Sequence, residues 1–95
     1  MINIKIFKKV GSFAENKDKA RSIRLKEIIP AIKNGQDIVI DFENVDAATQ
    51  SFIHALISDL IRTYGNEVLD KISFKSCNEN VQKIIMIVVE YMQEL

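Results

Sequence analysis

Polar side chains crowd a short segment between an apolar run and a helical pattern, at Asp46-Ala47-Ala48-Thr49-Gln50-Ser51. Thr49 or Asp46 is positioned to cap the helix that follows, by accepting a hydrogen bond from one of its free backbone N–H groups. The hydroxyls of Thr49 and Ser51 are also candidate phosphoacceptors, because free N–H groups and the helix dipole favour negative charge at a helix start. The segment therefore predicts either a simple helix cap or a site where a hydroxyl is modified.

Three carboxylates, Asp41, Glu43 and Asp46, follow one another closely where the apolar run ends. Mg²⁺ prefers oxygen ligands of this kind, so one hypothesis is a small magnesium-dependent phosphotransfer or enzyme domain that uses Asp41 and Asp46. A receiver domain would also need an acidic pair after its first strand, and this chain has lysines there, in FKKVGSF. The metal hypothesis is therefore the weaker one, and we expect no metal site and no cofactor.

His54 and Cys77 are the only histidine and the only cysteine of the chain. No Cys, Asp or Glu lies three or four residues from His54, so we expect an exposed or partly buried helix residue without a metal-binding or catalytic partner. Cys77 lies just before a helix start, where a thiolate is favoured, but no histidine is adjacent to it in sequence. We expect a small packed thiol.

Alternating strands and helices must position these residues. Strand patterns occur at Ile2–Ile6, in DIVIDF (37–42) and in DKISFKS (70–76), and helical spacing covers residues 15–34, the segment from Thr49 to Gly65, and the chain after Asn78. This β-α-β-α-β-α order predicts an α/β fold, a single domain over residues 1–95 with a mainly parallel or mixed sheet flanked by helices.

Several finer features follow from the apolar pattern. The unbroken run at 37–42 predicts a central strand covered on both faces. The second helix is expected to pack on the sheet through Phe52, Ile53, Leu56 and Leu60. The last helix is predicted from Val81, Ile84, Ile85, Val88, Met92 and Leu95, with Asn78 as its N-cap.

The first helix carries an irregularity. Leu25, Ile28, Ile29 and Ile32 are predicted to share its apolar face, and Pro30 is expected to cause a kink near Ile29 because proline lacks a backbone donor. Before this helix, a turn and a second short strand are predicted at Val10–Phe13.

Composition indicates an ordinary globular protein. No apolar run approaches the ~18 residues that span a bilayer, no signal peptide pattern is present, and a single cysteine fits a reducing compartment, so we expect a cytoplasmic location. The net charge of zero divides into +6 over residues 1–35 and −6 over the remainder. The basic first third gives a further hypothesis, a nucleic-acid-binding accessory domain, although it has no interleaved aromatic pattern.

The segment IVIDFENVDAATQSFIHALISDL resembles the central strand, loop and helix of STAS domains, which occur in sulphate transporters and anti-sigma-factor antagonists. It is more similar to STAS-like domains of unknown function, in which an apolar strand ends in Asp-Phe and a Ser-Phe pair opens a helix. Asp41-Phe42 and Ser51-Phe52 match that pattern, and FKSCNENVQKIIMIVV resembles the last strand and helix. The resemblance covers roughly residues 36–90.

The resemblance implies a non-enzymatic bacterial signalling module that binds a kinase-like ATPase of the histidine-kinase type. In anti-sigma-factor antagonists the helix opens with Asp-Ser-Ser-Gly, and the first serine is phosphorylated by the partner. Aligned on that motif, Gln50 occupies the acceptor position and cannot accept phosphate, while Thr49 and Ser51 flank it. Ser51 and Thr49 are therefore the candidate phosphoacceptors. We expect five residues around the start of the second helix to bind the partner: Asp46, Thr49, Gln50, Ser51 and His54.

Overall fold

A computed structural model describes residues 1–94 as a small α/β fold. In chain order its elements are β1 (Ile2–Lys5), α1 (Ile6–Val10), β2 (Phe13–Ala14), α2 (Lys17–Ile23), a π-helical turn (Arg24–Ile28), α3 (Ile29–Lys33), β3 (Ile38–Asp41), β4 (Ala47–Ala48), α4 (Gln50–Tyr64), a 3₁₀ segment (Asn66–Lys71), β5 (Ile72–Lys75) and α5 (Glu79–Gln93). The predicted fold class is confirmed. Three short elements were not predicted: α1, β4 and the 3₁₀ segment. Leu95, predicted for the last helix, lies outside the described residues.

The main sheet is parallel, with strand order β1-β3-β5 and β3 in the centre, as predicted. Its register places Ile4, Ile40 and Phe74 side by side, and Ile2, Ile38 and Ile72 form the preceding row. Partners in register point to the same face of a sheet. These two rows therefore form a single apolar face, on which the core is built.

The opposite face of the sheet is largely exposed to solvent, with only Asp41 of β3 buried on it, at the end of the strand, so the prediction of a central strand covered on both faces is wrong. Val39 is only half-buried, and its neighbours in register, Asn3 and Ser73, are exposed. The strand order explains this result. Right-handed crossovers from β1 to β3 and from β3 to β5 advance in the same direction, which places both connecting helices on one side.

The helix α4 occupies the middle of the helical layer, where it packs against both α2 and α5. Its four predicted core residues are all fully buried: Phe52, Ile53, Leu56 and Leu60. Among residues 1–94, no helix combines the length and the apolar character that crossing a membrane requires.

The helical segment from Lys17 to Lys33 is irregular, as predicted from the presence of Pro30. Asn16 caps its start by accepting hydrogen bonds from the backbone N–H groups of Asp18 and Lys19, at 2.9 and 3.1 Å. The π-helical turn ends directly before Ile29, and Pro30 lies at the beginning of α3. Since proline has no N–H and its ring collides with a preceding carbonyl, a wider turn accommodates it. Leu25, predicted for the apolar face, is instead 52% exposed.

The N-terminal segment also differs from the prediction. Ile6 was expected to continue the first strand, but it begins α1 while remaining fully buried. The second strand lies at Phe13–Ala14, later than the predicted Val10–Phe13, and it pairs in parallel with β4. Alternation cannot separate these possibilities, because Ile6 packs into the same core from either backbone conformation.

Candidate functional site

The start of α4 is held in place by backbone contacts to distant parts of the chain. The Thr49 N–H donates to the Ala14 carbonyl oxygen at 2.9 Å, and the Asp46 N–H donates to that of Ser12 at 2.7 Å. These bonds connect the loop before α4 to β2 and the residue before it. The polar segment identified in the sequence is therefore a fixed surface and not a free loop.

Thr49 is the N-cap of α4. Its Oγ1 accepts a hydrogen bond from the Phe52 N–H at 3.1 Å, and its carbonyl oxygen accepts one from Ile53 at 3.2 Å. Of the two predicted caps, Thr49 is thus confirmed and Asp46 is not. The Thr49 hydroxyl is half-buried and already engaged, which makes it a poorer phosphoacceptor than the exposed hydroxyl of Ser51.

Asn78 joins α5 to the loop before α4. Its Oδ1 accepts a hydrogen bond from the Val81 N–H at 2.9 Å, which confirms the predicted N-cap. Its Nδ2 lies 2.7 Å from the Asp46 carbonyl oxygen and 3.4 Å from that of Val45, so the same amide group also donates across the fold. Asp46 therefore contributes to the site through its backbone.

Gln50, Ser51 and His54 are exposed and line one groove between α4 and the helical segment that begins with α2. The groove has a volume of about 590 Å³. It is lined by polar and charged side chains and one alanine: Lys17, Arg21, Arg24, Gln50, Ser51, His54, Ala55, Ser58 and Asp59. The structure thus brings three of the five predicted partner-binding residues together, whereas Asp46 and the cap Thr49 do not line this groove.

The three cations of the groove are site residues that the sequence interpretation missed. Lys17, Arg21 and Arg24 recur at spacings of four and three residues, which places them on one side of a helix. That spacing was visible in the sequence. The sequence did not show which face of this helix packs against α4, because that packing is a contact between segments about thirty residues apart.

His54 and Ser58 contact each other on the wall of this groove. The Ser58 hydroxyl donates to the His54 carbonyl oxygen, and its oxygen lies 3.2 Å from His54 Nδ1. His54 is an exposed helix residue, in agreement with the prediction.

Asp41, Glu43 and Asp46 are not assembled into a metal site. Asp41 is 2% exposed, its Oδ1 accepts a hydrogen bond from the Glu43 N–H at 2.9 Å, and its Oδ2 lies 3.7 Å from Lys5 Nζ. Within residues 1–94, no three side chains of His, Cys, Asp or Glu come close enough together to hold a metal ion. Asp41 instead ends the central strand, and its charge is balanced by a neighbouring lysine.

Cys77 is partly buried against the core, as expected of a packed thiol. Its Sγ lies 3.8 Å from the Lys75 carbonyl oxygen. Burial, and secondly the negative charge of Asp41, raise the pKa of the Cys77 thiol. The thiolate is therefore disfavoured, in spite of the nearby start of α5.

A protein-family comparison agrees with this architecture. The model described as "STAS-like domain of unknown function (DUF4325)" matches residues 19–82, from within α2 to the beginning of α5. The match includes Thr49, Gln50 and Ser51 and two of the three groove cations. No curated protein and no solved structure matches the chain. Since the match covers more than half of the 95 residues, the chain belongs to the family of STAS-like domains of unknown function.

Proposed function

We propose that this domain is a non-enzymatic regulatory module that binds a protein partner through the start of α4. The main support for the proposal is that different residues at this helix start stabilise the helix and face solvent. Thr49 caps the helix, while the neighbouring Gln50 and Ser51 side chains are exposed and form no hydrogen bond within the described part of the chain. Polar side chains that are held on a rigid helix and not used by the fold are available to a partner.

The partner proposed is a kinase-like ATPase of the histidine-kinase type, in a bacterial cytoplasmic signalling system. The proposal follows from the resemblance to anti-sigma-factor antagonists, which bind such partners through the corresponding helix. The exposed Ser51 hydroxyl is the better candidate for modification, because that of Thr49 is engaged in the cap. With Gln50 at the acceptor position, the surface also serves as a binding site without any phosphate.

Site-specific photocrosslinking tests the binding surface. A photoreactive amino acid at position 51 should crosslink to an ATPase of this type in cells that contain both proteins, identified by mass spectrometry. The matched control is position 63, since Thr63 is exposed on the same helix, about 18 Å further along at 1.5 Å per residue. Equal crosslinking from both positions would contradict a defined interface at the helix start.

The identified ATPase then permits a direct test of the switch. Incubation of the pure proteins with ATP, followed by mass spectrometry, reports any phosphate on Ser51 or Thr49. A binding partner that adds no phosphate leaves a binding module without this switch. Turnover of a phosphoester, nucleotide or peptide by the pure domain, abolished by Asp41→Asn, would contradict the non-enzymatic assignment.

A further inference from the structure

The groove between α2 and α4 has an excess of positive charge. Three cations line it, and the carboxylate on its wall, Asp59, is already shared by two arginines. Asp59 Oδ2 lies 3.2 Å from Arg24 Nη1, and Asp59 Oδ1 lies 2.8 Å from Arg62 Nη1. Lys17 and Arg21 have no carboxylate within ion-pairing distance among residues 1–94. Two of the three cations are therefore not neutralised by the fold.

Arg24 is the fixed element of this groove. Its side chain is only 10% exposed, and its Nη1 donates to the Ala55 carbonyl oxygen at 2.6 Å in addition to the Asp59 contact. For its Nη2 and Nε, residues 1–94 provide no acceptor. The same part of the chain has no fully buried side-chain nitrogen without a partner, so these donors reach the surface, and the groove is the surface that Arg24 lines. A guanidinium held this way is pre-organised to bind a planar or tetrahedral oxyanion.

We propose that the groove binds an oxyanion group presented by the protein partner, a carboxylate or a phosphoryl group on one of its side chains. The nearly buried Arg24 supplies hydrogen-bond donors, and the exposed Arg21 and Lys17 supply positive charge. Gln50 and Ser51 line the same groove at the first turn of α4, so the Ser51 hydroxyl and N–H groups without a partner inside that helix are close to it. The identity of the ligand as part of a protein rests on the proposed function, whereas the preference for an oxyanion rests on the groove alone.

Titration of the isolated domain tests the chemistry without a partner. The probes are inorganic phosphate, phosphoserine and a hexaglutamate peptide, followed by ¹⁵N NMR. We expect saturable shifts at the amides of Gln50 and Ser51 and at Arg24 Nε, and the ranking of the probes distinguishes a phosphoryl from a carboxylate source. Arg21→Gln should weaken binding about two- to five-fold, the range expected for an exposed ion pair.

Lys19→Gln is the matched control, because Lys19 is exposed on the same helix but does not line this groove. Equal weakening by Lys19→Gln and Arg21→Gln, or shifts spread over all lysines and arginines, would overturn the proposal. The absence of groove shifts at tens of millimolar probe would overturn it as well.

The two proposals fail separately. Oxyanion binding in the groove, without a protein crosslinked from position 51, would overturn the proposed function and leave the groove chemistry standing. A crosslinked ATPase whose affinity is the same for Arg21→Gln and the parent domain would support the function and overturn the groove.

Discussion

Asn78 should contribute to stability in two separable ways. Asn78→Ser keeps an N-cap hydroxyl for the Val81 N–H but is too short to reach the carbonyl oxygens of Asp46 and Val45. Loss of these two donor contacts, one short and one long, should lower the free energy of unfolding by about 1 kcal/mol. Asn78→Ala also removes the cap, at a further cost of about 1 kcal/mol. For a domain of this size, the total of ~2 kcal/mol corresponds to a fall of roughly 10 °C in Tm.

Urea denaturation followed by circular dichroism measures both differences at equilibrium. The expected order of stability is the parent domain, then Asn78→Ser, then Asn78→Ala, with an unchanged dependence on urea concentration. Equal stability of Asn78→Ser and the parent would show that the bonds to the loop before α4 contribute nothing. Equal stability of the two variants would refute the capping argument.

The remaining predictions test the core, the helix start and the thiol. Leu56→Ala should lower the free energy of unfolding by ~2–5 kcal/mol, because Leu56 is fully buried, and a loss below 0.5 kcal/mol in urea melts would contradict its core placement. Thr49→Ala should cost about 1 kcal/mol through the lost cap, with Thr49→Ser as the control. Ser51→Asp should leave Tm nearly unchanged, since the helix dipole favours a negative charge there, and should weaken binding to the crosslinked ATPase. The raised pKa of Cys77 predicts slower alkylation at pH 8, and a pH profile displaced to higher pH, compared with the urea-unfolded chain; equal rates would contradict it.

The sequence predicted those features of the fold that depend only on residues close together in the chain. The cap Asn78, the irregularity at Pro30 and the apolar stripe through Leu56 all depend on residues within a few positions of each other. The bare face of the sheet was not predictable in this way. The exposed face follows from the order in which β1, β3 and β5 pair. An apolar run at 37–42 is compatible with a strand covered on one face only, because Val39, which lies on the other face, is half-buried.

The candidate site was half-predictable for the same reason. Helix-start chemistry identified Thr49, Gln50 and Ser51, because capping preferences act over three residues. The cations opposite them belong to a helix that precedes β3, and they reach the site through a packing contact between α2 and α4. The excess of +6 in residues 1–35 was visible, but its distribution was not: Lys9 pairs with Glu27 at 2.6 Å, whereas Arg21 faces the groove.

The arrangement around α4 separates the residues that hold the helix from those that are free to bind. Thr49 and Asn78 direct their polar atoms to backbone groups at the starts of α4 and α5, so their loss should be measured as lost stability. The side chains of Gln50 and Ser51 form no hydrogen bond within residues 1–94, so their replacement should alter partner binding and leave the fold unchanged. Arg24 belongs to both groups, since its Nη1 donates to the Ala55 carbonyl oxygen while its Nη2 and Nε have no acceptor among residues 1–94, and the residue lines the groove. A ligand bound there would contact a side chain that also connects α4 to the segment after α2, and binding should therefore stabilise the packing of these helices.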